Sequence, residues 1–246
     1  MGTLVAIEAR AGSQALAEQA VESGFTAIHN AEALLHPTRS GSDLARLNGA
    51  IAGRRLPVKA LTVAVLRLSR ELCALSEGCF EPALPGGGSV MHWFPAGPRA
   101  IRLERRARID LGGIAKGYAV DLAVAALRRA GASAGLVNAG GDLRVFGDAS
   151  WPVMLRLGGA TGATGATMKL RDIALAASDP ACADPPREHR GYYGARSGGR
   201  QARPGAVAVM APTAALADAL TKVVMFAPPA QSARILARYG ARALGI

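Results

Sequence analysis

Three groups of residues in this sequence have the types and spacing to do chemistry. The first is Asp110-Leu111-Gly112-Gly113-Ile114-Ala115-Lys116, a carboxylate and a glycine turn leading into a lysine-bearing helix. The first amides of a helix are unpaired and its dipole is positive there, so such a start suits an anion. Lys116, in the first turn, adds a full positive charge at the same place. The second group is the glycine turn Gly140-Gly141-Asp142, which brings another acid into the same stretch, Ile109 to Gly147. A helix start with two acidic corners describes a ligand site. The third is Asp218, set among Ala217, Ala219 and Leu220. An acid in an apolar helix needs a partner or a cation to be tolerated.

The elements that must position these groups follow from periodicity and punctuation. Thr3 to Ala9 reads as a strand, and Ser13 caps a helix running to about Leu35, where His36-Pro37 ends it. Ser42 to Asn48 is a capped helical turn, and Leu61 to Leu75 a second amphipathic helix. Ser76 to Pro82 is a turn and Pro85 to Ser89 a loop. Met91-His92-Trp93-Phe94 is the most aromatic point of the chain, either a face for a flat ring or an anchor to the core. Ala100–Leu103 and Ala107–Asp110 read as a strand pair. A helix from near Ile114 stops at Gly131, and strands are expected over 135–139, 143–147, 151–157 and 173–178. Residues 158–167, with their Gly-Ala-Thr repeats, read as a low-complexity loop. Residues 182–204 read as a long loop. A strand over 206–210, a helix opened by Pro212-Thr213, and a last helix from Gln231 to Tyr239 complete the chain.

Composition narrows the class. The chain has 246 residues and half of them are hydrophobic, enough for a substantial core. No window reaches the run of about 18 apolar residues that a membrane span needs. The N-terminus lacks the basic and apolar regions of a signal peptide, which points to the cytoplasm, or to the periplasm if the chain is a trimmed form. The net charge of +11 is mostly arginine, since Lys59, Lys116, Lys169 and Lys222 are the only lysines. Those arginines are scattered and few aromatics lie among them, so no nucleic-acid partner is expected. Three cysteines without a CxxC make neither a disulfide framework nor a zinc site. Neither GxxxxGK[ST] nor GxGxxG is present.

The motifs DLGGIAKGYAVD (from Asp110), NAGGDLRVFG (from Asn138) and APTAALADAL (from Ala211) resemble, in order and spacing, the ApbE family of FAD:protein FMN transferases. SDLARLN at Ser42 and SEGCFEP at Ser76 resemble its weaker signatures. The resemblance covers nearly the whole chain. It implies an α+β fold, a single domain over residues 1–246 whose antiparallel sheets and packed helices enclose an FAD cleft. It also implies Mg²⁺-dependent cleavage of FAD, with FMN passed as a phosphoester to a Thr or Ser hydroxyl of a target protein. By the same resemblance, Asp110 and Lys116 contact FAD, Lys116 near the diphosphate. Met1, Trp93 and Phe94 lie beside the flavin or adenine, and the Gly113 carbonyl and the Asp218 carboxylate hold Mg²⁺.

The sequence departs from the family pattern in three places. Lys222 stands where the family has a metal-site threonine, four residues after the acid. The His-Ile-Ile-Asp-Pro segment is absent from residues 182–204, where His189 is the nearest echo. No aromatic precedes SDLARLN. His189 and Lys222 are therefore the catalytic candidates that remain. The expected partner is a protein carrying Thr/Ser-Gly-Ala-Thr/Ser, and Thr161-Gly162-Ala163-Thr164 makes Thr164 a candidate acceptor within the chain itself. Two other outcomes fit the departures: a homologue that binds FAD or an adenine nucleotide without transfer, and slow hydrolysis of FAD to FMN and AMP.

Overall fold

The computed structural model of the chain describes residues 2–157, 164–178 and 205–244. In chain order the first half holds β1 (Val5–Arg10), α1 (Gln14–Leu35), α2 (Asp43–Asn48), β2 (Arg55–Pro57), α3 (Ala60–Leu75), β3 (Trp93–Pro95) and β4 (Ala100–Leu103). Then come α4 (Ala115–Arg129), β5 (Ala134–Ala139), β6 (Asp142–Phe146), β7 (Trp151–Leu157), β8 (Thr164–Leu170) and β9 (Ala174–Ser178). β10 (Val207–Ala211), α5 (Ala214–Phe226), α6 (Pro229–Arg238) and β11 (Arg242–Leu244) follow.

The main sheet has the order β1-β5-β6-β9-β10-β11, with every neighbouring pair antiparallel. Successive side chains of a strand point to opposite faces, and this sequence uses both faces. Leu136, Leu143, Val145, Leu175, Ala208 and Met210 pack on one side against Trp151, Val153, Leu155 and Leu170 of the β7–β8 hairpin. Val137, Ala139, Phe146, Ala174, Ala176 and Ala211 face the other way, onto α1 and α4. A further core joins α2, α3, α5 and α6 to the three-stranded sheet β2-β4-β3. The fold is thus mixed α+β with antiparallel sheets, in agreement with the sequence reading.

α4 and α5 carry the chemistry, and two residues set their approach. A side chain at Gly117 would put its Cβ 2.1 Å from the Ala214 carbonyl oxygen, so only glycine allows this contact. One turn along α4, Asp121 accepts hydrogen bonds from the Ala214 and Ala215 amides at 3.0 and 2.9 Å. These are unpaired first-turn donors of α5, for which a carboxylate is a favourable partner. Arg144 of β6 pairs with the same carboxylate at 2.6 Å.

The weaker signatures turn out to be scaffold. Asp43 Oδ2 accepts from the Lys59 amide at 2.6 Å and from the Thr62 hydroxyl at 2.8 Å, capping the start of α3. The Asn48 side chain clamps Ile109 from both sides, accepting from its amide at 2.8 Å and donating to its carbonyl at 2.9 Å. Glu81 accepts from the Ala83 and Val90 amides, each at 3.0 Å, and so latches the loop between them.

Some expectations are corrected. Residues 107–110 do not pair with β4, which lies between β2 and β3. Ile109 instead makes a single bridge to Ala83, because Asn48 already fills its backbone bonds. Part of the expected low-complexity loop is strand, since β8 begins at Thr164 opposite Leu157. The three-residue strands β2, β3 and β11 were not legible in the sequence, being too short to show a period.

Candidate functional site

Four charged side chains meet where the start of α4, the β5–β6 turn and the middle of α5 converge. Lys116 is the hub. Its Nζ lies 3.0 Å from Asp142 Oδ2 and 3.7 Å from Asp218 Oδ2, and donates to the Gly112 carbonyl at 3.3 Å. Asp218 is fully buried. Its Oδ2 also accepts from the Gly117 amide at 3.4 Å, while Lys222 Nζ donates to its Oδ1. The buried acid found in the sequence therefore has its partners: two ammonium groups and a helix-start amide.

Lys222 is held on several sides. Beyond Asp218 Oδ1 it donates to the Asp218 carbonyl at 3.1 Å and to Ser178 Oγ at 3.3 Å. Thr221 Oγ1 donates to the same carbonyl at 2.7 Å and lies 2.8 Å from Ser178 Oγ. A hydroxyl chain from the end of β9 thus ties lysine to helix. The Lys222 stem runs beside Gly113, where a Cβ would stand 3.4 Å from Lys222 Cε.

The electrostatics follow from burial and charge. Burial and the neighbouring Asp218 push the Asp142 carboxyl up to about 7, against the pull of Lys116 and Lys222. Burial would raise Asp218 too, but Lys222 and then Lys116 outweigh it and hold that carboxyl below its ordinary value. Near neutral pH the four groups sum to between zero and one positive charge. Such a cluster receives an anion.

The cluster forms one wall of a 370 Å³ cavity, whose apolar surface includes Phe80, Ala83 and Phe226. A second cavity of 520 Å³, flanked by Leu35, Pro37 and Ala115, shares Asp110, Gly112 and Lys116 with the first. Asp110 stands at this shared rim, exposed, with Oδ1 accepting from the Gly112 amide at 2.8 Å. The two cavities therefore meet at a shared polar boundary, Asp110, Gly112 and Lys116.

The structure brings Asp110, Gly113, Lys116, Asp218 and Lys222 together, and places Trp93 and Phe94 apart from them. Trp93 is wholly buried in the core and Phe94 is half-buried, with the Arg70 guanidinium 4.1 Å and that of Arg102 5.6 Å from its ring centre. Neither lines the two cavities, in the first of which, among the described residues, Phe80 and Phe226 supply rings. Met1 and His189 lie outside the described residues, as do Thr161, Gly162 and Ala163. Ser178 and Thr221 were not among the candidates, and Asp142 was marked only as an acidic turn corner with no role assigned. The i, i+4 spacing of Asp218 and Lys222, which places both on one helix face, was a signal for their ion pair.

The Mg²⁺ that the resemblance implies does not fit the residues present. A hard cation on Asp218 needs oxygen ligands, yet Oδ1 and the backbone carbonyl of that residue already receive Lys222. The other acid, Asp142, is matched by Lys116. Each ammonium opposes a dication about as strongly as one carboxylate attracts it, and the cluster holds two of each. Among the described residues no group of three His, Cys, Asp or Glu side chains is gathered to hold a metal ion. None of the described helices is long and apolar enough to cross a membrane.

Comparison with known proteins places this arrangement. The model of the ApbE family matches residues 1–99 and 87–244. An FAD:protein FMN transferase of Rhodobacter capsulatus is 32% identical in a match covering 63% of this chain and 36% of that protein. The match thus spans about a third of that relative's length. Among solved structures, the flavinyl transferase ApbE of Pseudomonas stutzeri superposes with a TM-score of 0.79 at 19% identity, covering 98% of this chain and 89% of the other. Flavin transferase ApbE from Vibrio cholerae gives 0.81 at 18% identity, covering 99% and 90%. At these identities the likeness is one of fold.

Proposed function

The chain belongs to the ApbE family, and from that premise we propose that it is an FAD:protein FMN transferase. The observation that carries the reading is the position of Lys116. It stands in the first turn of α4, at the boundary between two cavities, with its ammonium held on Asp142 and Asp218. A dinucleotide with a doubly charged diphosphate and a flat group at each end matches two adjoining cavities with cationic groups at their boundary.

In this reading the diphosphate lies against Lys116 and Lys222, and the rim carboxylate of Asp110 orients the ligand. A Thr or Ser hydroxyl of the target, within Thr/Ser-Gly-Ala-Thr/Ser, attacks the phosphorus on the riboflavin side. The bridging P–O bond breaks, AMP leaves, a phosphoester joins FMN to the target, and the hydroxyl proton is lost. Preorganised ammonium groups stabilise the charge that grows on the phosphoryl oxygens. Asp218, already bound by Lys222, is not a metal ligand in this reading.

The test is incubation of the protein with FAD and an acceptor-motif peptide, read by mass. Transfer adds FMN to the peptide and releases AMP, and Lys116→Met loses at least tenfold in rate. Bound FAD without turnover makes the chain a binding homologue. FMN and AMP without a peptide adduct make it a pyrophosphatase. A flavin adduct on the chain itself, absent in Thr164→Ala, makes Thr164 an acceptor.

A further inference from the structure

We propose that the Lys222 ammonium is the site's own cation: it occupies the coordination position on Asp218 and, with Lys116, supplies the positive charge that receives the ligand's diphosphate without a divalent ion. The diphosphate in this statement rests on the reading just given. The geometry of Lys222 does not.

The ammonium hydrogen-bonds to the kinds of oxygen atom that a hard cation would take as ligands. It meets a carboxylate oxygen, a backbone carbonyl at 3.1 Å and a hydroxyl at 3.3 Å, all oxygen donors from two elements. It is 8% exposed and borders the cavity, so its charge is close to a ligand and little screened by water. The surroundings are arranged to keep it there. Asp218 and Lys222 sit one helical turn apart on the same face of α5. Thr221 donates to the carbonyl that Lys222 uses, and Ser178 reaches across from β9 to both. The lysine stem and the Phe80 ring both pack over Gly113, within 4 Å of where a Cβ would stand. Lys116 occupies the other oxygen of Asp218, so the carboxylate is bracketed by ammonium groups from α4 and α5. A metal entering here must first evict a lysine from a buried acid. With both lysines in place, Lys116 and Lys222 line the cavity while Asp218 lies buried behind them.

Two measurements test this. The first needs no ligand: Mn²⁺ is titrated into the wild-type protein and the free ion is followed by electron paramagnetic resonance. We expect the wild type to leave Mn²⁺ free. Lys222→Thr, which shortens the side chain and leaves an oxygen, is expected to bind one ion that Asp218→Asn in the same background abolishes. One Mn²⁺ held by the wild type and lost in Asp218→Asn alone would overturn the proposal. The second is FAD binding by fluorescence quenching in EDTA and in millimolar Mg²⁺. The proposal expects wild-type affinities within about threefold of each other, and a loss of at least tenfold in both buffers for Lys222→Met. FAD binding that vanishes in EDTA overturns it as well. Absence of FAD binding in both buffers contradicts the flavin reading instead, and the Mn²⁺ titration then decides the role of Lys222 by itself.

Discussion

At the scale of single residues, the behaviour of the site depends on two acids in different electrostatic surroundings. Asp142 titrates near 7 because it is buried beside Asp218, whereas Asp218 stays ionised between two lysines. The sign of the consequence is definite. Below about pH 6 Asp142 is neutral and the cluster is net positive; above about pH 8 it is ionised and repels a diphosphate. FAD affinity is therefore expected to fall between pH 6 and 8 in the wild type, and to lose that slope in Asp142→Asn, as equilibrium titrations at several pH values will show. Removing Lys222 strips a buried carboxylate of its closest partner, a loss of about 3–5 kcal/mol for buried pairs in general. Lys116 remains on Asp218, so Lys222→Met is expected near 3 kcal/mol by chemical denaturation. Cys73 lies outside this chemistry. Burial and the nearby Glu81 charge push its thiol up to about 12, so iodoacetamide at pH 8 is expected to label it only after unfolding.

At the scale of elements, the site exists because α4 and α5 approach closely with their charged turns facing. Gly117 permits that approach and Asp121 fixes it. Gly117→Ala is expected to cost about 1–3 kcal/mol, the range for overpacking a tight contact, with a larger loss in FAD affinity than in stability because the Lys116–Asp218 geometry moves. Thermal melts and binding titrations on the same variant separate the two. Much of this was readable in the sequence: the helix start at Ile114, the stop at Gly131, and the buried acid in α5 were marked by glycines and by an acid out of pattern. The surroundings of the aromatic pair were not legible, for a physical reason. Composition shows that rings cluster at Trp93 and Phe94 but not which face of a three-residue strand each occupies. Asp142 was visible as a turn corner only, because its value as a partner depends on Lys116, 26 positions earlier, and on the turn between them.

At the scale of the whole molecule, the antiparallel sheet delivers the β5–β6 turn and the end of β9 to one place, while helices on its face supply the lysines. The net charge of +11 is spread widely as arginine, whereas the cleft concentrates its effect in two lysines, the half-buried Lys116 and the buried Lys222, set against buried acids. The weaker sequence signatures serve this assembly from a distance, Asn48 by clamping Ile109 and Asp43 by capping α3. On the proposed function, the lysine–acid cluster between the two cavities, and not the aromatic patch of β3, receives the flavin dinucleotide. This claim is tested most directly by FAD affinity in three proteins: wild type, Lys116→Met and Phe94→Ala. The account predicts a loss of at least tenfold in Lys116→Met and no change beyond about twofold in Phe94→Ala. Unchanged binding in Lys116→Met, or a large loss confined to Phe94→Ala, would contradict it.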